Sequence, residues 1–360
     1  MTEPQDESTL IAASGAAISE APPIQPVTSW ISRWRQPFQG NTDPNPSQLS
    51  KSSNPPIPLT NQARLNETLN EAPLETSKLP DEVAQSKDAA DRTILYLAYG
   101  SNLCREAFQK TRGIRPLSMR TVVVPELTLM FDLPGIPYTE PCFANTRYRD
   151  QSVLAGGDTQ KEQYRKDKWS KGLVGVVWEV TLKDYTHIIA TEGGGVAYRD
   201  VLVDCYPLPA DPNLPVPDKP STAAFKAHTL LAPKVGRLVR PDRSYAQPSP
   251  RYLKLLTDGA MEVSLPNEYQ EYLRSIGGYR VTSTLQFCGK LVFGLTWGPP
   301  LGIIFSSRRA FTDKKGHYPK WLAIFTGFLF KSMWASYDAV FKRVFGDGER
   351  TLQAPVKKSH

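Results

Sequence analysis

The chain has 360 residues, enough for one large domain or two, and 40% of them are apolar, which is somewhat low for a wholly globular protein. Its formal net charge is +7, yet residues 286–360 alone hold 12 Lys or Arg and 4 Asp or Glu, a balance of +8 that leaves the remainder at −1. The basic charge is therefore not spread over a folded face. No nucleic-acid motif accompanies it, so we expect no nucleic-acid partner.

The first part of the chain, residues 1–91, has the composition of a disordered Pro/Ser-rich tail. Residues 1–90 hold 12 of the 32 prolines, 6 basic and 11 acidic side chains, and many Ser, Asn, Gln and Thr residues. Such a stretch buries too little apolar area to offset the entropy that it would lose on ordering. It also lacks a basic start followed by an apolar core, so we expect no secretory signal and a cytoplasmic protein.

Cysteine and histidine are sparse. The four cysteines stand far apart, at Cys104, Cys142, Cys205 and Cys288, and the four histidines are His187, His228, His317 and His360. Without a secretory signal we expect the cysteines to be reduced thiols. No Cys/His cluster has metal-ligand spacing, so we predict neither a metal site nor a cofactor.

The first predicted element is an apolar strand at residues 93–99, which runs into a sharp turn and a helix that ends near Gly113. Gly100 permits a tight backbone shape, and Ser101 and Asn102 are both good N-cap residues. A strand-turn-helix of this kind aims several backbone N–H groups at one point, which suits an anionic or carbonyl ligand. Taken alone, these residues fit an ordinary strand-to-helix connection better than a ligand site.

The rest of the predicted domain contains several strands and few helices. Alternating or apolar runs predict strands at residues 120–124, 126–131, 142–146, 172–180, 198–206 and 224–232, and helices at 182–190, 248–256 and 266–276. Residues 134–137 are predicted to form a loop, and the polar residues 151–170 a surface insertion. Because strands and helices do not alternate, we predict an α+β domain at residues 92–280, with a mixed twisted sheet or β-barrel-like core and flanking helices.

Glu192 is the carboxylate that the sequence singles out. It closes a predicted helix and is followed at once by three glycines, which let the backbone turn tightly and let a small ligand approach closely. A glutamate at a helix C-terminus is also unfavourably placed for the helix dipole, and a residue that breaks a local rule suggests function. The alternative is a solvated glutamate before a glycine cap.

Four motifs together resemble the γ-glutamylcyclotransferase family. They are Tyr99-Gly100-Ser101-Asn102-Leu103 after an apolar strand, Gly175-Val176-Val177-Trp178 followed by a short helix and Glu192-Gly193, Pro248-Ser249-Pro250-Arg251-Tyr252, and Leu265-Pro266-Asn267-Glu268-Tyr269-Gln270-Glu271-Tyr272-Leu273. Each motif is short, but the four occur in the family's order and span roughly residues 94–276.

The resemblance implies a γ-glutamylcyclotransferase-like fold and a lyase that converts a γ-glutamyl amino acid into 5-oxoproline and a free amine, as in glutathione metabolism, without metal or cofactor. It makes Glu192 the catalytic acid/base. It also implies a small-molecule γ-glutamyl substrate held by a loop and by one helical tyrosine. The substrate-binding residues would be Tyr96, Leu97, Ala98, Tyr99, Gly100, Ser101, Asn102 and Tyr252.

Two other functions fit the same residues. One is a non-catalytic ligand-binding module that keeps the fold and the pocket. The other is a cyclotransferase that acts on γ-glutamyl amines or glutathione conjugates in secondary metabolism. The insertion at residues 151–170 and the third glycine depart from the family pattern and leave the leaving amine undetermined. The resemblance places Tyr198 at the site only if the loop between Glu192 and Tyr198 has the length found in the family.

Residues 281–360 form a basic, aromatic-rich C-terminal extension. It contains an apolar run at residues 288–305, interrupted by Pro299-Pro300, and a second at 321–330, which is shorter than the roughly 20 residues that a membrane span needs. Lysines and arginine surround many aromatic residues here, as in interfacial helices. We expect a helical extension that makes a peripheral membrane or subunit contact through residues 288–345. The alternative is an added piece of the enzyme's own core.

Overall fold

The computed structural model describes residues 56–149, 169–191, 199–232, 240–311 and 319–351. The strands in these ranges are β1 (Thr93–Ala98), β2 (Ser118–Val124), β3 (Leu127–Ile136), β4 (Glu140–Tyr148), β5 (Leu173–Thr181), β6 (Arg199–Pro207) and β7 (Phe225–Leu231). The α-helices are α1 (Gln62–Glu67), α2 (Leu79–Gln85), α3 (Lys87–Asp91), α4 (Leu182–Thr191), α5 (Pro250–Glu262), α6 (Asn267–Ser275), α7 (Thr284–Phe311), α8 (Lys320–Ser336) and α9 (Lys342–Phe345). Short 3-10 helices lie at Thr68–Asn70 and Ser101–Leu103, and short π-helices lie at Glu106–Thr111 and Tyr337–Phe341.

Five strands close into a barrel in the order β1-β5-β2-β6-β7. Neighbouring strands are antiparallel except β1 and β7, which meet in parallel at Tyr96 and His228 and close the sheet. Strands β3 and β4 form a separate antiparallel hairpin. The α+β class with a barrel-like core is therefore confirmed.

Strand β5 pairs along most of its length with β1 on one side and with β2 on the other. A strand with neighbours on both sides and cover on both faces needs a nearly continuous apolar sequence, and Leu173–Thr181 is of that kind. Gly175 lets β1 come close, since a Cβ there would lie 2.5 Å from the carbonyl oxygen of Ala98. The glycine thus fixes the distance between the two strands just before the chain leaves β1.

The N-terminal part of the described structure differs from the disordered tail expected at residues 1–91. Residues 56–91 fold against the barrel, with Leu65 and Leu79 buried. The Arg64 guanidinium donates to the carbonyl oxygen of Thr93 at 3.1 Å, and the amide of Leu74 donates to Asp200 at 2.6 Å. The composition of this region is polar on average, but the region also contains a few apolar residues that are buried and charged groups that have buried partners. Residues 1–55 lie outside the described residues.

The C-terminal extension forms a second hydrophobic core. Helices α7 and α8 and the turn after α8 enclose Tyr138, from the tip of the β3–β4 hairpin, together with Phe293, Met333, Trp334 and Tyr337. The extension is therefore helical, and part of it is packed against the β3–β4 hairpin. The four cysteines form no disulfide.

Two sequence interpretations based on proline are wrong. Residues 134–136 belong to β3 and not to a loop. Within the described residues β3 pairs with β4 alone. The other side of β3 has no strand that needs an N–H from Pro134, so the proline is tolerated there. Helix α7 continues through Pro299 and Pro300. Pro299 removes the N–H that would bond to residue 295, and Leu295 is 78% exposed, so this missing bond falls on the outer side of the helix.

Candidate active site

The turn after β1 is tighter than the helix predicted there. The amide of Leu103 donates to the carbonyl of Gly100 at 3.0 Å, and that of Cys104 to the carbonyl of Ser101 at 3.2 Å, which makes a 3-10 turn. A π-helical turn follows, and the predicted stop at Gly113 is confirmed by its positive φ of 72°. Helix α5 lies directly on this turn, because a Cβ at Gly259 would stand 2.5 Å from the amide nitrogen of Cys104.

The predicted substrate loop divides into buried and accessible parts. Leu97 and Ala98 are 0% and 1% exposed, so their side chains belong to the barrel core. Tyr99, Gly100 and Ser101 are partly exposed. A ligand at this turn would therefore meet the backbone and side chains of residues 99–101.

Tyr96 and Asn102 hold the turn from beneath. The amide nitrogen of the Asn102 side chain donates to the Tyr96 hydroxyl at 2.9 Å, and both residues are buried. The Asn102 carbonyl accepts from the indole N–H of Trp178 on β5 at 3.1 Å. Phe108 stacks between the rings of Tyr96 and Trp178. These contacts fix the shape of the turn from the barrel side.

Tyr252 joins the turn to two other elements. It lies in the first turn of α5, where the Ser249 hydroxyl accepts from its amide at 3.0 Å. Its hydroxyl accepts from the amide of Ala144 on β4 at 3.2 Å and lies 3.4 Å from where a Cβ of Gly100 would stand. The ring also meets Phe143 edge-on, with centroids 5.2 Å apart. The structure thus brings Tyr252 to the turn at Gly100.

An ion pair between the exposed Arg251 and the buried Glu140 lies beside Tyr252. The Arg251 side chain donates from Nε to Glu140 at the start of β4 at 2.9 Å, and a second guanidinium nitrogen contacts the same oxygen. Burial raises the pKa of the Glu140 carboxyl above its usual value, and Arg251 only partly offsets this. The pair ties the first turn of α5 to the β3–β4 hairpin.

Glu192 lies outside the described residues, as do Tyr198 and residues 151–168 of the predicted insertion. Helix α4, which precedes Glu192, is capped by Thr181, whose hydroxyl accepts from the amide of Asp184 at 3.0 Å. Its first amide donates to the carbonyl of Arg92 at 2.6 Å, and the Tyr185 ring lies 5.7 Å from that of Tyr96. Over this stretch α4 therefore advances in the direction of β1, toward the end of the strand that carries Gly100.

The sequence analysis missed a buried acid–histidine cluster in the barrel wall. His228 on β7 lies between Asp200 on β6, at 2.8 Å from Nδ1, and Glu71, at 3.0 Å from Nε2. The Tyr185 hydroxyl donates to the other oxygen of Asp200 at 2.5 Å, and Arg64 reaches Glu71 at 3.3 Å. The three acid and histidine positions are widely separated in sequence, so no spacing signal could have found them.

Charge pairing sets the protonation of this cluster. Burial lowers the pKa of His228, but its hydrogen bonds to Asp200 and Glu71 outweigh burial and leave the pKa above its usual value. Burial raises the pKa of Glu71, but His228 and Arg64 bring it below its usual value. Within the five described ranges, no group of three or more His, Cys, Asp or Glu side chains has an arrangement that could hold a metal ion.

Known proteins resemble this chain in sequence. The gamma-glutamyl cyclotransferase gliK of Aspergillus fumigatus is 33% identical over 260 residues, which cover 71% of this chain and 89% of that protein. The gamma-glutamyl cyclotransferase aclK of Aspergillus oryzae is 28% identical over 265 residues, which cover 72% and 91% of the two chains. The family described as the AclK C-terminal domain matches residues 283–344. A solved gamma-glutamyl cyclotransferase structure is 22% identical with a TM-score of 0.37, and the match covers 54% of this chain and 93% of that one.

Proposed function

The chain belongs to the γ-glutamylcyclotransferase family, and from this premise we propose that it closes a γ-glutamyl group into 5-oxoproline at the turn that follows β1. The observation that supports this place is the convergence on Gly100. The Tyr252 hydroxyl, the backbone of β4 at Ala144 and the partly exposed residues 99–101 all meet there. Helix α4 advances along β1 toward the same end, and Glu192 follows α4 in the sequence.

The reaction suits a site built from backbone groups and a carboxylate. The α-amine of the substrate attacks the γ-carbonyl carbon of the same molecule, the new C–N bond closes the lactam, and the bond to the leaving amine breaks. No protein nucleophile is required, because holding the substrate in a curled conformation makes the attack intramolecular. The amine is protonated at neutral pH, so a base must remove its proton before it can attack.

We assign the proton transfers to Glu192. Its carboxylate would take the proton from the substrate amine and return it to the leaving nitrogen, so that the enzyme ends the cycle unchanged. Backbone amides at the Gly100 turn would hold the substrate carboxylate or the developing oxyanion. Tyr252 would contact the substrate because its hydroxyl lies beside Gly100.

The test of this assignment is the release of 5-oxoproline by Glu192→Gln. The amide is close in shape to the carboxylate but cannot act as a base, so we expect the turnover number to fall by about 100- to 10,000-fold. The matched control is Glu75→Gln, a change of the same kind at an exposed glutamate, which should leave the rate unaltered. Near-normal turnover in Glu192→Gln would remove this residue from the chemistry.

A panel of γ-glutamyl substrates identifies the amine that the enzyme releases. Wild-type protein is assayed for 5-oxoproline with γ-glutamyl-alanine, glutathione, a glutathione S-conjugate and a γ-glutamyl amine. Release from γ-glutamyl-alanine identifies an enzyme with the general family activity. Release from conjugates or amines alone assigns it to the specialised reaction in secondary metabolism. No release from any member of the panel, with tight binding of a γ-glutamyl ligand, would identify a binding module and overturn the proposed activity.

A further inference from the structure

Helices α7 and α8 form an antiparallel hairpin that has an inner and an outer face. The indole N–H of Trp297 donates to the Ser336 hydroxyl at 3.0 Å, and the rings of Phe311 and Trp321 lie 5.8 Å apart at the opposite end. The inner face is buried in the second core, with Phe293 and Met333 almost fully covered. The outer face has no such cover within the described residues.

The outer face is apolar. Of the 18 large apolar side chains that stand exposed in the described residues, 13 lie between Leu285 and Val344. The most prominent are Leu291, Leu295, Ile303 and Phe311 on α7 and Trp321, Ile324, Phe325 and Phe328 on α8. The four on α8 follow one another at helical spacing and line a shallow apolar groove. Single exposed leucines are ordinary, but neighbouring apolar side chains that line one groove, as these four do, mark an interaction surface.

The charged side chains within the two helices are all of one sign. The bounds of α7 and α8 contain five basic residues and no Asp or Glu, the basic residues being Lys290, Arg308, Arg309, Lys320 and Lys331. Three of them lie in the last turn of α7 and the first residue of α8, where Phe311 meets Trp321. Aromatic rings beside lysine and arginine around an apolar stripe are typical of helices at the boundary between water and lipid.

Charge also decides between a lipid surface and a second copy of this chain. A two-fold dimer would place the same patch against itself and bring the basic residues of these helices together, and neither helix contains an Asp or Glu to pair with them. An anionic leaflet offers the complementary charge, which is worth about 1 kcal/mol per Lys or Arg near the surface. Residues Thr284–Ser307 are, among the described helices, the stretch long and apolar enough to cross a membrane. The inner face of α7 is packed against protein, so the outer face alone is available to lipid.

We propose that the α7–α8 hairpin docks on an anionic membrane surface, with its outer apolar face entering the boundary between headgroups and acyl chains. The enzyme is then a peripheral membrane protein, and its barrel stays in water. This arrangement buries the exposed rings of α8 and places the surrounding basic residues among the headgroups.

The experiment is flotation of the full chain with phosphatidylcholine vesicles, with and without phosphatidylserine, at low and high salt. The test variant is the triple change Ile324→Glu, Phe325→Glu and Phe328→Glu, at side chains that are 74%, 50% and 64% exposed and so are not needed for packing. The control is Leu214→Glu, the same kind of change at an exposed leucine outside the hairpin. Thermal midpoints and 5-oxoproline release show that each variant is folded.

We expect wild-type protein and Leu214→Glu to float with phosphatidylserine vesicles and less at high salt. The triple variant should partition about tenfold or more weakly, because both apolar area and charge complementarity are lost. Absence of flotation by wild type, or equal flotation by the triple variant, overturns the proposal. So does a stable wild-type dimer that binds no lipid and dissociates in the triple variant, since the face would then belong to a second copy.

Discussion

The indole N–H of Trp334 donates to the carbonyl oxygen of Gly135 at 3.2 Å, and this bond links the C-terminal helices to the β3–β4 hairpin. The same hairpin carries Ala144, whose amide donates to the Tyr252 hydroxyl beside Gly100. The extension is therefore one packed layer away from the candidate active site, and changes in it should alter both stability and substrate binding.

Trp334→Ala should destabilise the protein by about 3–5 kcal/mol, because the ring is 1% exposed and its removal leaves a cavity in the second core. Trp334→Phe keeps an aromatic ring but leaves the Gly135 carbonyl without its donor, at a cost of about 1–3 kcal/mol. Both losses are measured by denaturant unfolding. We also expect a raised KM for the folded Trp334→Phe variant. If that KM equals the wild-type value, the extension is not coupled to the site.

Tyr252→Phe should raise KM more than it lowers kcat, because it removes a hydroxyl at the site but leaves Glu192, the proposed acid/base, unchanged. The change also leaves the buried Ala144 amide without an acceptor, which costs about 1–3 kcal/mol. Steady-state kinetics on a γ-glutamyl substrate measure the two parameters separately.

The control for Tyr252→Phe is Tyr279→Phe, which loses a hydroxyl that donates to the Asp347 carbonyl at 3.3 Å, away from the Gly100 turn. It should change stability without a change in KM. Unaltered KM and kcat in Tyr252→Phe would take this residue out of the substrate site.

Asn102→Ala should act on the shape of the turn. The change removes the donor to the buried Tyr96 hydroxyl, so we expect a loss of about 1–3 kcal/mol in the free energy of unfolding. Because residues 99–101 are held by this contact, kcat/KM should fall as well. Asn213→Ala, at an exposed turn, serves as the control. A stable but inactive Asn102→Ala protein would instead indicate that Asn102 itself contacts the substrate.

The His228 cluster should make stability depend on pH. The folded-state pKa of His228 is above its usual 6.5, so its ion pairs contribute fully below that value and the contribution is lost as pH rises through the folded pKa. The pKa of Glu71 is lowered from 4.5, so its contribution is present above 4.5 and is lost as pH falls through its folded pKa. Thermal midpoints across this range should therefore be highest between the two folded pKa values.

His228→Gln tests this origin of the pH dependence. It leaves Asp200 and Glu71 without their shared cation, and breaking a buried pair in this way costs about 3–5 kcal/mol. Arg64 and Tyr185 remain to face the two carboxylates. The decline of wild-type stability above pH 6.5 should be absent in the variant. An identical decline in both proteins would assign it to another group.

Local signals in the sequence predicted much of the barrel. The apolar run of β5 and the stop at Gly113 depend on neighbouring residues, so the sequence expresses them directly. The position of Tyr252 came from the family resemblance, and the structure places this residue at Gly100. The assignment of Glu192 stays a prediction.

Features that depend on distant partners were not predictable from the sequence. Pro134 is accommodated in β3 because of how the hairpin pairs, and a Cβ at Gly135 would stand 2.0 Å from the Glu140 carbonyl oxygen. The His228 cluster draws on segments that are separated by up to 157 positions. Helices α1 to α3 were not predicted, because the composition was averaged over a region that begins with Pro-rich sequence.

The last described residues, from Gly346 to Thr351, bind three parts of the fold at once. The Gly348 carbonyl accepts from the Tyr138 amide, the Glu349 carbonyl accepts from the Gln247 amide, and the Asp347 carbonyl accepts from the side chain of Gln286. A ribosome makes this segment after all three of its partners. The barrel can therefore begin to fold during synthesis, whereas the second core must wait for these residues to emerge. A chain cut just before Gly346 would leave that core open and exposed to chaperones and proteases.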